Sequence, residues 1–300
     1  MNKILQVAAV SRNYFNMPLW VAQACGFFER EQLSVDLNLL EGIDQVTEGL
    51  ASGQFQIDLG VTENVILNRE RGGRLAIVGG NVNRLPFSLI SQPDIKQISD
   101  LRGKRIGVSS IEAGSSSLVM KLLAKYGLFY PNDYVLLPVG PILTRWAMLQ
   151  SKEIEAGLQG VPMNYVALEA GYVNLGQPRD MFPDFQFTSI NVDSDWAAGN
   201  QNTVVAFLRA YIRACRWLES NQKASREIAK NEANLSPNHA DLAWQECIKG
   251  GVMPMDGRAS LPSIQTLIDV SSQIRALPGR KKFDAGTYVD NTYLEGAEKL

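Results

Sequence analysis

The feature that most constrains the fold is a regular alternation of short apolar runs with helical patterns along the first two thirds of the chain. The run "ILQVAAV" is typical of a buried strand, and "MPLWVAQACGFF" after it has helical spacing. Pro18 fits the first turn of that helix, and Gly26 fits its end. Further strand-like runs follow, separated by helical patterns: "LSVDLNLL", "QIDLGV" and "RLAIVGG". This alternation predicts an α/β fold with a mainly parallel sheet covered by helices.

The alternation begins again after residue 85, which indicates a second α/β unit. Its strand-like runs are "PFSLISQ", "YVLLPVG" and "EIEAGLQG". Residues 49–64 and 147–164 share one plan: a helix end, a turn, a strand with an acidic residue, and a small-residue turn into another helix. A chain of 300 residues is long enough for two such lobes. From about residue 196 the sequence is helix-rich, and residues 195–221 predict one long helix or two.

The balance of charge excludes one class of partner. The chain has 29 Lys and Arg against 31 Asp and Glu, a formal net charge of -2, whereas a nucleic-acid-binding protein needs a basic face that neutralises phosphates. The three cysteines, Cys25, Cys215 and Cys247, have no CxxC spacing. We therefore expect small buried side chains rather than a disulfide framework or a zinc site, and we expect no cofactor.

The compartment stays open at this point. No apolar run reaches the roughly 20 residues needed to cross a bilayer, and no secretory signal follows Met1. Two expectations are compatible with this pattern. Either the natural protein is cytoplasmic, or a leader has been removed and the protein is periplasmic or otherwise extracytoplasmic.

One stretch, "GVSSIEAGSSSLVMKLL", predicts a binding position because a strand runs through a glycine and three serines into a helix. Ligands of open α/β sheets bind at the carboxyl ends of strands. The first N–H groups of a helix have no partner within the helix, and they favour anions. We therefore expect Gly114, Ser115 and Ser116 to hold an anionic or strongly polar group. The alternative is an ordinary N-cap, in which a serine caps the helix and nothing binds.

Other turns at the same edges supply further candidate ligand-binding residues. An aromatic ring could stack on a ligand, amides and hydroxyls could donate to it, and a carboxylate or guanidinium could pair with it. The alternatives are a core position for the phenylalanine, a first-turn dipole partner for the glutamate, and a surface ion pair for the arginine. The candidates are Asn13, Phe15, Asn16, Thr62, Glu63, Asn64, Asn81 and Arg84, with Pro162 and Met163 as an apolar wall.

Several motifs together resemble one known family. They are "PLWVAQACGFFEREQLSVDL", "LASGQFQIDLGV", "ISDLRGKRIGV", "GSSSLVMKLLAKYGL" and "FDAGTYVDNTYL". In their order and spacing they resemble the solute-binding proteins of ABC importers for aliphatic sulfonates, taurine, nitrate and the hydroxymethylpyrimidine precursor of thiamin. The resemblance covers nearly the whole chain. In the second lobe this chain departs from the family pattern, with Val161 where the family has an acidic residue before a proline.

The resemblance implies a type II periplasmic-binding-protein fold, in which two α/β lobes close on one small ligand. Its lobes would be residues 1–85 plus 190–300 and residues 86–189, with crossings near Leu85–Ser88 and Phe187–Asn191. The implied function is capture of a sulfonate, carboxylate or pyrimidine-like ligand for an ABC permease, by a monomer. No nucleic acid or membrane segment takes part.

An enzyme on the same fold is the alternative. Hydroxymethylpyrimidine synthases and some decarboxylases share the fold, so a cytosolic enzyme acting on a small aromatic or carboxylic acid is possible. The sequence has no HExxH, GxSxG, Walker or GxGxxG motif. Its single histidine, His239, is expected to be an ordinary helix-entry residue, and the cysteine-rich run of the synthases is absent. These patterns favour a protein without catalytic activity.

Overall fold

A computed structural model describes residues 4–274, residue 277 and residues 283–299. Ten strands of this part of the chain form two sheets of five. The strands of the first sheet, in spatial order, are β2 (Val35–Leu40), β1 (Leu5–Val10), β3 (Ile57–Val61), β10 (Thr188–Asp193) and β4 (Leu75–Val82). The strands of the second sheet are β7 (Val135–Pro138), β6 (Arg105–Val108), β8 (Ala156–Gly160), β5 (Phe87–Ser91) and β9 (Val173–Asn174).

The helices connect the strands and cover the sheets. Up to β10 they are α1 (Met17–Ala24), α2 (Phe27–Arg30), α3 (Ile43–Ala51), α4 (Thr62–Glu70), α5 (Ser115–Ala124), α6 (Ile142–Gln150) and α7 (Met163–Glu169). After β10 they are α8 (Ser194–Gly199), α9 (Gln201–Ser220), α10 (Gln222–Ala233), α11 (Pro237–Trp244), α12 (Leu261–Ser272) and α13 (Thr292–Glu298). Short 3-10 helices lie at Tyr14–Asn16, Ile98–Leu101, Pro178–Asp180 and Ala285–Tyr288, and a π-helical turn at Gln245–Lys249. None of the helices described has the length and apolar character needed to span a bilayer.

The predicted alternation of strands and helices is confirmed, and so is the mainly parallel character of the sheets, because four of the five strands in each sheet run in the same direction. In the first sheet β1 runs parallel to β2 and β3, whereas β10 runs antiparallel to β3 and β4. In the second sheet β6 is parallel to its neighbours, and β5 is antiparallel to β8 and β9. The antiparallel strands β5 and β10 each follow a segment that crosses from the other sheet, so the chain runs through each of them in the direction opposite to that of their neighbours.

Local sequence signals explain several element boundaries. Gly26 lies between α1 and α2 with φ 67°, a left-handed conformation that suits glycine. Pro18 lies in the first turn of α1, where its missing N–H costs no hydrogen bond. Residues 195–221, for which the sequence predicts one long helix or two, lie mainly in the two helices α8 and α9, and Asp193 caps α8 by accepting from the N–H groups of Asp195 and Trp196. The predicted boundary between residues 189 and 190 lies within β10.

Candidate functional site

The two sheets face each other across a cleft, and the cleft contains a cavity of about 40 Å³. Both sheets contribute to it. The lining residues from the first sheet and the loops that connect its strands are Val10, Asn13, Phe15, Ile43, Val61, Phe187 and Thr188. The lining residues from the second sheet and its connections are Phe87, Ser109, Pro141, Ile142 and Arg145. Most of these residues follow the carboxyl end of a parallel strand, the edge at which the sequence predicts binding.

Three aromatic rings form the apolar part of this cavity. Phe87 packs edge-on against Phe15, with ring centroids 6.0 Å apart, and against Phe187, with centroids 4.6 Å apart. Phe15 and Phe87 are almost completely buried. Gly160 at the end of β8 leaves room for them, because a Cβ atom there would lie 2.7 Å from Ile142 Cδ1 and 3.0 Å from Phe87 Cε1. Phe15 is thus both a core residue and a wall of the cavity.

The start of α5 is bound by a side chain of the protein itself. Glu63, in the first turn of α4, accepts a hydrogen bond at Oε2 from the backbone N–H of Gly114 at 3.0 Å. Gly114 has φ 73°, which favours glycine at this position. The buried carboxylate of Glu63 therefore occupies the place at which the sequence predicts an anionic ligand, and it joins elements on opposite sides of the cleft.

The serines of α5 have partners within their own loop. Ser115 Oγ accepts from the N–H of Ser109 at 2.9 Å and lies 2.9 Å from Ser109 Oγ. Ser116 Oγ donates to the carbonyl of Ala113 at 3.2 Å. This is the capping arrangement given above as the alternative. A role of Ser115 and Ser116 in ligand binding requires that these bonds open.

We expect the substitution Glu63→Gln to open the cleft of the ligand-free protein. A hydrogen bond from an N–H group to a buried carboxylate contributes about 1.5–3 kcal/mol, and a neutral amide retains only part of it. Small-angle X-ray scattering should give a larger radius of gyration for the variant. Glu112→Gln is the matched control, because Glu112 pairs with Arg71 at 2.6 Å on the exposed rim, and such pairs contribute little. Equal radii for wild type and Glu63→Gln would contradict the expectation.

The other polar residues predicted at the first-lobe turns are held by local hydrogen bonds. Asn13 lines the cavity, and its amide bonds the carbonyl of Val10 and the N–H of Phe15. Asn16 donates to the carbonyl of Ser11 at 2.6 Å. Thr62 is buried and donates to Ser189 Oγ at 3.0 Å. These bonds fix the turns that carry Phe15 and Glu63.

The remaining predicted residues lie around the cavity rather than on its walls. Asn64 donates to Asp44 Oδ1 at 3.0 Å and lines a separate groove between α3, α4 and the loop before α5. Asn81 is buried and donates to Thr188 Oγ1 at 3.2 Å. Arg84 is half-exposed and lies 3.6 Å from Asp184, which matches the surface ion pair given as its alternative. Pro162 and Met163 begin α7; Pro162 is buried and Met163 half-buried.

Sequence reasoning missed Arg145, the one basic side chain that the described residues place on the cavity wall. A signal for it is present in the sequence. Ile142, Arg145 and Leu149 follow a helical spacing of i, i+3 and i+7, so the arginine lies on the apolar stripe of α6. Charged side chains are rarely buried, so a charged residue on a buried stripe is a candidate functional residue. The aromatic Phe87 and Phe187 were missed because they flank the crossing segments, whose positions in space the sequence does not determine.

A second group of contacts joins the two sides at the opposite rim of the cleft. Tyr165 in α7 donates to Glu246 Oε2 at 2.5 Å, and Arg179 pairs with the other oxygen of Glu246 at 2.6 Å. Burial, followed by the hydrogen bond to Glu246, raises the pKa of Tyr165 to about 12. His239 lies at the start of α11, as expected, and its Nε2 is 3.0 Å from Glu169 of α7. The cleft is thus held by polar contacts on both rims.

Comparison with known proteins relates this arrangement to periplasmic binding proteins. The alkanesulfonate-binding protein of Xanthomonas axonopodis pv. citri, solved with bound MOPS, superposes with a TM-score of 0.79 at 17% identity, over 95% of this chain and 97% of that one. A Candida albicans protein with the generic periplasmic binding protein fold gives a TM-score of 0.77 at 17% identity, over 97% of each chain. The fold implied by the sequence resemblance is confirmed.

The sequence comparisons include an enzyme. The 4-amino-5-hydroxymethyl-2-methylpyrimidine phosphate synthase of Schizosaccharomyces pombe is 28% identical over 181 residues, or 59% of this chain. The match covers about half of that enzyme, 51% of its length. The sequence profile of the NMT1/THI5-like family matches residues 13–225, which hold most of the cavity wall and all the described strands except β1. The chain therefore belongs to the NMT1/THI5-like family.

Proposed function

We propose that this protein is the solute-binding component of an ABC importer and captures a small anionic or polar organic ligand between its two sheets. The observation that carries the proposal is the cavity itself, because both sheets contribute walls and the ligand would contact both at once. The alkanesulfonate-binding protein with the same fold supports the assignment. The proposed location is extracytoplasmic and the proposed partner is a permease, with the protein acting as a monomer.

The proposed mechanism is closure without chemical change of the ligand. The cavity of about 40 Å³ lies between residues from both sheets, and a larger ligand enters when the two sides separate. The moving units are the proposed lobes, residues 1–85 plus 190–300 and residues 86–189. A ligand that binds the closed arrangement more tightly than the open one shifts the population towards closure. The permease then recognises the closed form.

A second candidate function is a cytosolic enzyme on the same fold. The similarity to the S. pombe synthase favours it. In that case the substrate is a small aromatic or carboxylic acid, or a pyrimidine precursor, and the cavity walls supply the reacting groups. The two functions differ in one measurable respect: a binding protein releases its ligand unchanged.

The test is a thermal-shift screen followed by mass spectrometry of the recovered compound. The screen contains sulfonates, nitrate, aliphatic and aromatic carboxylates, pyrimidines and amino acids. We expect a compound that raises the melting temperature, reduces the radius of gyration in X-ray scattering and is recovered with unchanged mass. A product mass would identify an enzyme. Binding without compaction would contradict closure.

A further inference from the structure

The wall of the cavity holds a buried cation, Arg145. Arg145 is only 2% exposed and lies on the cavity wall. Its Nε donates to the carbonyl of Leu158 at 2.9 Å and its Nη1 to the carbonyl of Gly140 at 2.6 Å. A guanidinium has five N–H bonds, so these two neutral acceptors leave donors for another partner. Among the described residues no Asp or Glu forms an ion pair with it, and burial alone lowers its pKa to about 9, so it remains charged at neutral pH.

The second sheet fixes the position of this side chain. Gly107 of β6 and Gly157 of β8 are paired in register. A Cβ atom at Gly157 would lie 3.4 Å from Arg145 Cδ, and one at Gly107 would lie 3.5 Å from Arg145 Cγ. The aliphatic part of Arg145 therefore packs directly over two glycines. A side chain held this closely presents its guanidinium to the cavity with little conformational freedom to lose on binding.

Burying a charge without an opposite charge is costly, and an anion that enters the cavity offsets that cost. The rest of the wall is mostly apolar, with the rings of Phe15, Phe87 and Phe187, and its polar side chains, Asn13, Ser109 and Thr188, are uncharged. We propose that Arg145, rather than the start of α5, binds the ionised group of the ligand, and that the ligand is a compact organic carboxylate or sulfonate. This inference rests on the proposed function. In this arrangement the charged end of the ligand contacts Arg145 of α6, and the apolar body contacts the three phenylalanine rings.

The size of the cavity supports a compact ligand. Pockets for drug-sized molecules have volumes of roughly 300–1,000 Å³, whereas this cavity measures about 40 Å³. The start of α5 offers less to an anion, because the N–H of Gly114 is bonded to Glu63 and the N–H of Ser115 to Ser109 Oγ. A second carboxylate beside Glu63 would be repelled. Arg145 therefore provides the stronger attraction for an anion in the closed arrangement.

The test compares each anion with a neutral molecule of the same shape. The pairs are propionate and propionamide, benzoate and benzamide, and methanesulfonate and dimethyl sulfone, measured by calorimetric titration. Hydrogen bonds to charged groups are worth about 1.5–3 kcal/mol, so we expect at least one anion to bind about tenfold or more tighter than its neutral partner. Equal or tighter binding of the neutral molecules would overturn the role of Arg145 and leave the binding function intact. Failure of every anion to bind would also overturn it.

Two variants assign the preference to this residue. Arg145→Met should remove the preference for the anion, and Arg145→Lys should restore part of it because the charge returns without the planar donor set. Arg105→Met is the matched control, since Arg105 lies in β6, the strand of Gly107, and pairs with Glu155 at 2.6 Å on the surface. An anion preference that persists in Arg145→Met would show a purely structural role. If Arg145→Met fails to fold, Arg145→Lys and the ligand pairs decide the question.

Discussion

The substitution Phe87→Ala should destabilise the protein by about 3–5 kcal/mol and admit larger ligands. Phe87 is 2% exposed and stands between Phe15 and Phe187, so its removal leaves a void that its neighbours fill only in part. Because that void adjoins the cavity, it should accept a ring-bearing ligand that wild type excludes. The measurements are urea unfolding for stability and calorimetric titration with a series of carboxylates of increasing size.

The control for this variant is Phe185→Ala. Phe185 is equally buried at 1% exposure and packs against Phe182 rather than lining the cavity. We expect a similar loss of stability without a change in ligand size. If Phe185→Ala and Phe87→Ala show the same ligand profile, the cavity between the sheets does not set ligand size. If Phe87→Ala unfolds at the assay temperature, Phe87→Leu removes less volume and preserves the comparison.

The free energy of unfolding should fall as the pH rises from about 4 to about 8, because of Asp58 in β3. Burial, opposed by hydrogen bonds from Asn191 and Gly60, raises the pKa of this carboxyl from 3.8 to about 8. Within that window the folded protein keeps a proton that the unfolded chain releases, so increasing pH favours unfolding. Each pKa unit corresponds to about 1.4 kcal/mol, and the loss is on the order of several kcal/mol. Above the folded pKa the effect ends.

Asp58→Asn should flatten this slope and raise stability at about pH 8, because the amide mimics the protonated acid. Asn191 Nδ2 donates to Asp58 Oδ1 at 2.7 Å, and the asparagine oxygen can accept the same bond. The measurement is urea unfolding at about pH 5 and about pH 8. Asp36→Asn is the control, since Asp36 lies exposed on the neighbouring strand β2. An identical slope in wild type and Asp58→Asn would contradict the assignment.

Most of the fold could be predicted from the sequence, because its signals are local. The apolar runs "QIDLGV" and "RLAIVGG" form β3 and β4, and the glycine and proline at the two ends of α1 are where the pattern places them. The strand-to-helix turns were also located correctly. The reversed direction of β5 and β10 could not be predicted. Each follows a crossing and runs antiparallel to its neighbours, and the sequence alone does not show where a crossing ends.

In the candidate site, too, local sequence signals predict some features and the tertiary structure alone decides the others. The sequence predicted that Glu63 and Gly114 would each face the cleft, but only the tertiary structure brings them to 3.0 Å, 51 positions apart in the chain. Arg145 carries a local signal, a charge on an apolar stripe, yet its access to the cavity depends on Gly107 and Gly157 in two other strands. Hydrophobic periodicity and turn chemistry act between neighbouring residues, so the sequence by itself determined the elements and the sheet edges at which we propose binding. Which side chains meet at those edges depends on contacts between distant segments, and only the packing of the two sheets decided that.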